Sequence, residues 1–187
     1  SDFAFLRDAQ DEDLAPVLVG RLYPSRALFA TVCDAKSHDE AATRRLANFL
    51  KESGVSRLVY KSDQESSLKL MVENALARIG KSGTFEPYEA VPEYSAVGSS
   101  ASNGRAERAV QTVEDQIRTL KSALESRMKT RLPSDLPTFR WLVEHCVSII
   151  NRFKVHAEGT TAYEASHGKR RSDKVVEFGE QVLFSVP

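Results

Sequence analysis

Cysteine is nearly missing from this chain: Cys33 and Cys146 are the only two in 187 residues, and no Cys-x-x-Cys pair exists. That scarcity argues against a disulfide framework and against a thiolate zinc site, and it suits a reducing compartment. Both cysteines lie among apolar residues and read as small buried hydrophobes. The four histidines, His38, His145, His156 and His167, lack the spacing of metal ligands. No apolar run approaches the roughly 18 residues of a membrane-spanning helix. The opening, Ser1-Asp2-Phe3-Ala4-Phe5-Leu6, lacks the basic region and long apolar core of a secretion signal; its abrupt apolar start suggests a piece of a longer polypeptide. Charge of one sign is also lacking, since 26 basic side chains balance 26 acidic ones. A chain that grips nucleic acid over its whole surface usually carries a basic excess, so any such binding here must come from local patches or partner segments.

What is present fits one soluble globular domain with an appended tail: 41% hydrophobic and 28% charged residues. Asp2 to Leu6, Pro16 to Leu22 and Ala27 to Cys33 read as strands, the last two joined by the turn Tyr23-Pro24-Ser25 and therefore antiparallel. His38-Asp39-Glu40 opens a helix whose apolar residues Ala42, Leu46, Phe49 and Leu50 recur at helical spacing until Gly54. Val55 to Tyr60 is a fourth strand, Ser66 to Ile79 a second helix, and Thr84 to Val91 a fifth strand. From Pro92 to Gly104 the composition turns to Pro, Ser, Gly and Asn, which predicts a loop, expected to be mobile. The strongest helical pattern follows over Arg105 to Met128, then another over Leu136 to Phe153. These elements predict an α/β fold, a mixed five-stranded sheet flanked by helices. Residues 1–153 are expected to form the core. Residues 154–187 form an extension packing on it or leading away, with Val175 to Phe184 as a small hairpin or extended clasp.

Three carboxylates stand out by position. Asp2 lies in the first strand, Asp63 just past the end of the fourth, and Glu107 in the first turn of the long helix. On a helical wheel Glu107 falls at the border between the apolar stripe and solvent. Hard divalent cations take oxygen ligands, and three carboxylates can support a pair of ions at a phosphoryl centre. Taken singly, an Asp at a strand end is usually a turn or cap residue, and a Glu in a first turn usually only favours the helix dipole. Asp8, Asp11 and Asp13 compete for the first position, and Asp2 is preferred because it alone sits inside the apolar strand.

The stretch Ser102-Asn103-Gly104-Arg105-Ala106-Glu107-Arg108 resembles the integrase-core motif of copia-type retrotransposons, in which Asn-Gly closes the active-site loop and the following Glu is the third catalytic carboxylate. Lys61-Ser62-Asp63-Gln64-Glu65 is similar to the second-carboxylate motif, with Gln64-Glu65 where that family carries Asn-Gly. Ile149-Ile150-Asn151-Arg152-Phe153, Thr160-Thr161-Ala162-Tyr163-Glu164 and Phe178-Gly179 follow in the family's order. The resemblance implies an RNase H-like retroelement integrase core in which Asp2, Asp63 and Glu107 ligate Mg²⁺ or Mn²⁺. It also implies 3′-end processing and strand transfer into target DNA. The implied partners are DNA (element ends and target), further copies of the chain and other segments of a parent polyprotein, with no membrane. The implied setting is the nucleus or cytoplasmic particles.

Asn103, Arg108, Gln111, Arg118 and Lys121 lie near Glu107 on the long helix or the loop before it, and are candidate DNA contacts. Lys169-Arg170-Arg171 is a second basic candidate and Arg44-Arg45 a weaker third. Each such group can equally be a solvated face held by helical ion pairs. Two other functions compete: a degenerate, non-catalytic integrase-like domain that binds DNA or protein, and a related DDE transposase.

Overall fold

The computed structural model describes residues 2–4, 15–34, 39–62, 65–81, 89–94, 104–172 and 174–182. Strands β1 (Asp2–Ala4), β2 (Val17–Arg21) and β3 (Leu28–Val32) form an antiparallel sheet in that order. Val17, Val19, Ala30 and Val32 point to one face, and Leu18, Phe29 and Phe3 to the other. All of these are buried, so both faces of the sheet are covered. This is why the segment reads as continuous apolar runs rather than strict alternation.

Helix α1 (Glu40–Glu52) and helix α2 (Ser66–Lys81) cover one face, where Leu46, Leu50, Leu68, Met71 and Val72 pack on Leu18 and Phe29. The long α3 (Gly104–Met128) and α4 (Pro137–Phe153) cover the other through Val113, Ile117, Phe139, Leu142 and Val143. Asp39 caps α1, its carboxylate accepting from the amides of Ala42 at 2.9 Å and Asp34 at 2.8 Å. Burial pushes the Asp39 pKa up, but the amides of Ala42, Asp34 and Ala41 and the charge of Arg140 outweigh it and hold the group below its ordinary value.

Strands β4 (Arg57–Ser62) and β5 (Glu89–Tyr94) pair in parallel. Tyr60 turns inward to the α1/α2 layer. The other face is a ladder of in-register pairs, with Arg57–Glu89 and Lys61–Glu93 as ion pairs around the exposed Val59 and Val91. The α/β class and the flanking helices are as expected from sequence. The five strands, however, form a three-stranded and a two-stranded sheet among the described residues, not one continuous sheet. Strand β5 extends past the expected end at Val91 and runs through Pro92, and residues 84–88 of the expected strand lie outside the described residues. Proline lacks an amide hydrogen and is tolerated in strands that leave one side unpaired.

The side-chain amide of Asn151 ties α4 to the sheet, accepting from the Leu28 amide at 2.7 Å and donating to the Leu28 carbonyl at 2.8 Å. Beyond α4 the chain forms a short helix α5 (Ala162–His167) that the sequence reading did not separate. Thr161 caps it by accepting from Glu164 N at 3.0 Å, and Gly168 ends it in the left-handed region. For Val175 to Phe184 a hairpin or an extended clasp is expected; residues 174–182 show no strand, and residues 183–184 lie outside the described residues. Phe178 instead packs against the α3/α4 core and 5.1 Å from the His145 ring, with Arg127 bonded to Glu177 and to the Phe178 carbonyl. Gly179 has φ +78°, and a Cβ there would lie 2.9 Å from Leu124 Cδ1, so any side chain in this turn is strained.

Cys33 and Cys146 are both free and buried on opposite faces of the sheet. Burial pushes each thiol up to about 12. Neither is expected to react with an aromatic disulfide reagent in the native chain at about pH 8, and both are expected to react once urea unfolds it. A rapidly titrating native thiol would contradict this packing.

Candidate functional site

Strand alternation fixes which way Asp2 faces. It lies opposite Val19, and Ala4 lies opposite Val17, so Asp2 shares the face of Ala4, Val17 and Val19. That face is the one α3 covers, with Ala109 and Val113 packed against the same cluster. Asp2 is half-buried, and its Oδ1 accepts from the Phe3 amide at 2.8 Å.

The first turn of α3 lies over the same end of the sheet. Arg105, Ala106 and Ala109 line a groove of about 600 Å³ together with Val19 to Tyr23 of the β2 end and Val59 to Lys61 of β4. Glu107 is in that first turn and is exposed, further from the buried stripe of Ala109, Val113 and Ile117 than the wheel suggested. Strand β4 ends at Ser62, which is fully buried, with no hydrogen-bond partner for its hydroxyl among the described residues. Asp63, the next residue, lies outside the described residues, as do Asn103 and the alternatives Asp8, Asp11 and Asp13. Among the described residues no three His, Cys, Asp or Glu side chains group closely enough to hold a metal ion. The donor set that sequence selects is all carboxylate, the ligand type that a hard cation takes.

The candidate DNA contacts separate into three kinds. Arg108 and Gln111 are exposed on the first turns of α3, and Arg108 holds no carboxylate among the described residues. Arg118 is exposed but paired with Glu114 at 3.2 Å and Asp115 at 3.3 Å. Lys121 is a correction: it is only 7% exposed, its ammonium 2.7 Å from Glu125 one turn on. Its four-carbon stem packs with the buried stripe, so it does not belong to an exposed DNA-facing flank.

In the second basic group Lys169 is exposed, while Arg170 bonds Glu164 at 3.1 Å and the Gly159 carbonyl at 3.2 Å. Arg171 stacks 5.4 Å from the Tyr163 ring. Both arginines thus brace α5. Arg45 of the weaker group holds Glu144.

Sequence reasoning missed one cluster at this end. Tyr23, in the turn after β2, has the guanidinium of Arg21 5.4 Å from its ring centroid and that of Arg105 at 5.0 Å. The turn residues Tyr23-Pro24 were legible, but nothing in sequence spacing brings Arg105 to them.

His145 and His156 are both shifted by their surroundings. Burial, and then the charge of Arg152, pushes His145 below the ordinary imidazole value. Burial, followed by Arg21, Arg26 and Lys154 against an opposing Glu158, does the same to His156. A native state that takes up a proton less readily than the unfolded chain has its full stability above about pH 6.5 and loses it as pH falls through that value. The melting temperature is therefore expected to drop between about pH 7.5 and pH 5.5, and a His145→Gln/His156→Gln variant should show a smaller drop. An identical drop in the variant would assign the effect to other groups.

The layers define a mixed α/β fold that is similar to those of solved integrase catalytic core domains. The catalytic core domain of BIV integrase matches with a TM-score of 0.52 at 14% sequence identity, over 88% of this chain and 91% of that one. A simian T-cell lymphotropic virus intasome, solved in complex with the PP2A regulatory subunit B56 gamma, matches with a TM-score of 0.55 at 14% identity. That match covers 99% of this chain, which spans 59% of the intasome chain. No protein-family model matches the sequence, and no curated protein does. The likeness is therefore one of fold.

Proposed function

We propose that this chain is the polynucleotidyl transferase core of a retrotransposon integrase, performing 3′-end processing of element DNA and strand transfer into target DNA. The observation that carries this reading is the shared placement of Asp2 and Glu107: one starts β1 on the face α3 covers, the other stands in the first turn of α3. The end of β4 leads directly into Asp63. Asp2, Asp63 and Glu107 would hold Mg²⁺ or Mn²⁺, which when bound lower the cost of charge on the attacking and leaving oxygens. The exposed Glu107 can reach ions shared with a DNA phosphate, while the half-buried Asp2 anchors the site to the sheet.

The carboxylates would act without forming a covalent bond to DNA. Element ends, target DNA, further copies of the chain and the rest of a parent polyprotein are the proposed partners, in the nucleus or in cytoplasmic particles. A non-catalytic, DNA- or protein-binding descendant is the second reading, favoured by the balanced charge and by Gln64-Glu65 in place of Asn-Gly.

A branched DNA mimicking the integration product tests the choice, because resolving it asks only for the reverse of joining. With Mn²⁺ the native chain is expected to bind the metal by calorimetry and to resolve the branch, and to do neither in EDTA. Absence of metal binding would overturn the catalytic reading in favour of the second.

A further inference from the structure

Several arginines of this neutral chain are already paired. Arg26, Arg45, Arg57, Arg78, Arg118 and Arg140 each hold a carboxylate. Arg21 and Arg105 differ: among the described residues neither has an acidic partner, and both lean on the single ring of Tyr23. Two guanidiniums on one ring repel each other, and the ring's quadrupole offsets that repulsion only in part. The Nε of Arg21 is buried and has no acceptor among the described residues. Tyr23 itself is 42% exposed on the turn, so the cluster is open to solvent on its outer side.

Its position follows from register. Arg21 lies two residues beyond Val19, the partner of Asp2, and so on the same face of the sheet as Asp2. Arg105 lies two residues before Glu107 on α3. Of the charges that act with Arg21 on His156, Lys154 has the same sign, while Arg26 is offset by its partner Glu158.

We infer that Arg21, Tyr23 and Arg105 form a phosphate clamp that holds the backbone of the DNA strand entering the Asp2/Glu107 end of the domain. The guanidinium fork matches two phosphate oxygens at once, which an ammonium cannot do, and a phosphate between the two arginines cancels their repulsion. Tyr23 fixes both side chains in advance and so lowers the ordering cost of binding. The clamp reads no base; it positions the strand, as backbone contacts do. This inference rests on the integrase reading for its ligand, but it concerns binding and not the metal chemistry.

Fluorescence anisotropy with a labelled branched duplex in EDTA separates the two. Arg105→Glu is expected to weaken binding about tenfold or more at low salt and to reduce the slope of log affinity against log salt by about one. Arg105→Lys should recover part of the affinity, and Tyr23→Ser should weaken binding several-fold with the salt slope nearly kept. Arg78→Glu makes the same charge change at an exposed position of α2, across the sheet, and should cost less than about twofold. Equal losses for Arg105→Glu and Arg78→Glu, no loss for Arg105→Glu, or no binding by the native chain would each overturn the clamp. Binding sensitive to Arg105→Glu without Mn²⁺-dependent resolution of the branch would keep the clamp and sink the catalytic reading. Resolution of the branch with Arg105→Glu fully competent would do the opposite.

Discussion

Glu107→Gln is expected to abolish Mn²⁺-dependent resolution of a branched DNA while leaving the melting temperature within a degree or two of the native chain. The two halves of that expectation have separate causes. Glu107 is exposed in the first turn of α3, so replacing its carboxylate by the isosteric amide removes no packing and only a small favourable term with the helix dipole. Changes at exposed positions of this kind usually stay within about half a kcal/mol. An amide, however, carries no charge and is a poor ligand for a hard cation. Groups that stabilise charge at a reacting centre are worth about 10²–10³ in rate each. A loss of at least a hundredfold with an unchanged melt would place Glu107 among the metal-holding groups. Full activity in the variant would remove Glu107 from the site, and the resemblance of Ser102 to Arg108 would then reflect fold alone.

Much of the fold was legible because the long helices announce themselves. Val113, Ile117 and Leu124 keep one face of α3 at helical period over 25 residues, and Phe139, Leu142, Val143 and Cys146 do the same for α4. Asp39 was legible as an opening signal because a capping carboxylate is a local device. The failures have equally physical causes. Pro92 was read as a strand stop, yet a proline is barred only where its missing amide would be needed. Helix α5 spans six residues, too few to show a period, and only the Thr161…Glu164 pair marks its start. Lys121 was assigned to a DNA-facing flank because sequence distinguishes neither a buried stem from an exposed one nor a free ammonium from one held by Glu125.

Of the proposed site, Asp2 and Glu107 were legible as carboxylates at a strand start and a helix start. What the sequence could not show was that α3 lies on β1 and β2, over the face to which the Asp2–Val19 register assigns Asp2. The cluster of Arg21, Tyr23 and Arg105 was illegible for the same reason: it is a product of long-range packing.

That packing is where the second large effect is expected. Phe139 is the largest fully buried side chain, at 0% exposure, and sits where α4 meets Val17, Val19 and Ala30 of the sheet and Val113 and Ile117 of α3. Phe139→Ala is expected to cost about 3–5 kcal/mol, part from lost transfer of the ring out of water and part from the cavity left among neighbours that cannot close on it. Against the 5–15 kcal/mol typical of a whole domain, that is a large share, and the melting temperature should fall by roughly 6–20 °C. Trp141, two residues further along the same helix, is a larger ring but is 70% exposed. Trp141→Ala should therefore change the urea midpoint little, since exposed substitutions seldom exceed about half a kcal/mol.

The pair isolates burial from ring size on one helix, and measuring both by urea denaturation checks the layer order directly. Comparable losses would mean that α4 does not present Phe139 to the sheet. The placement of α3 against β1, which brings Glu107 to the end where Asp2 lies, would then fail with it. A large loss for Phe139 alone ties the positioning of the carboxylates to the core beneath them. In that case Phe139→Ala should also lower activity near its own melting temperature while keeping the native rate well below it, as expected for a residue that supports the site without touching DNA.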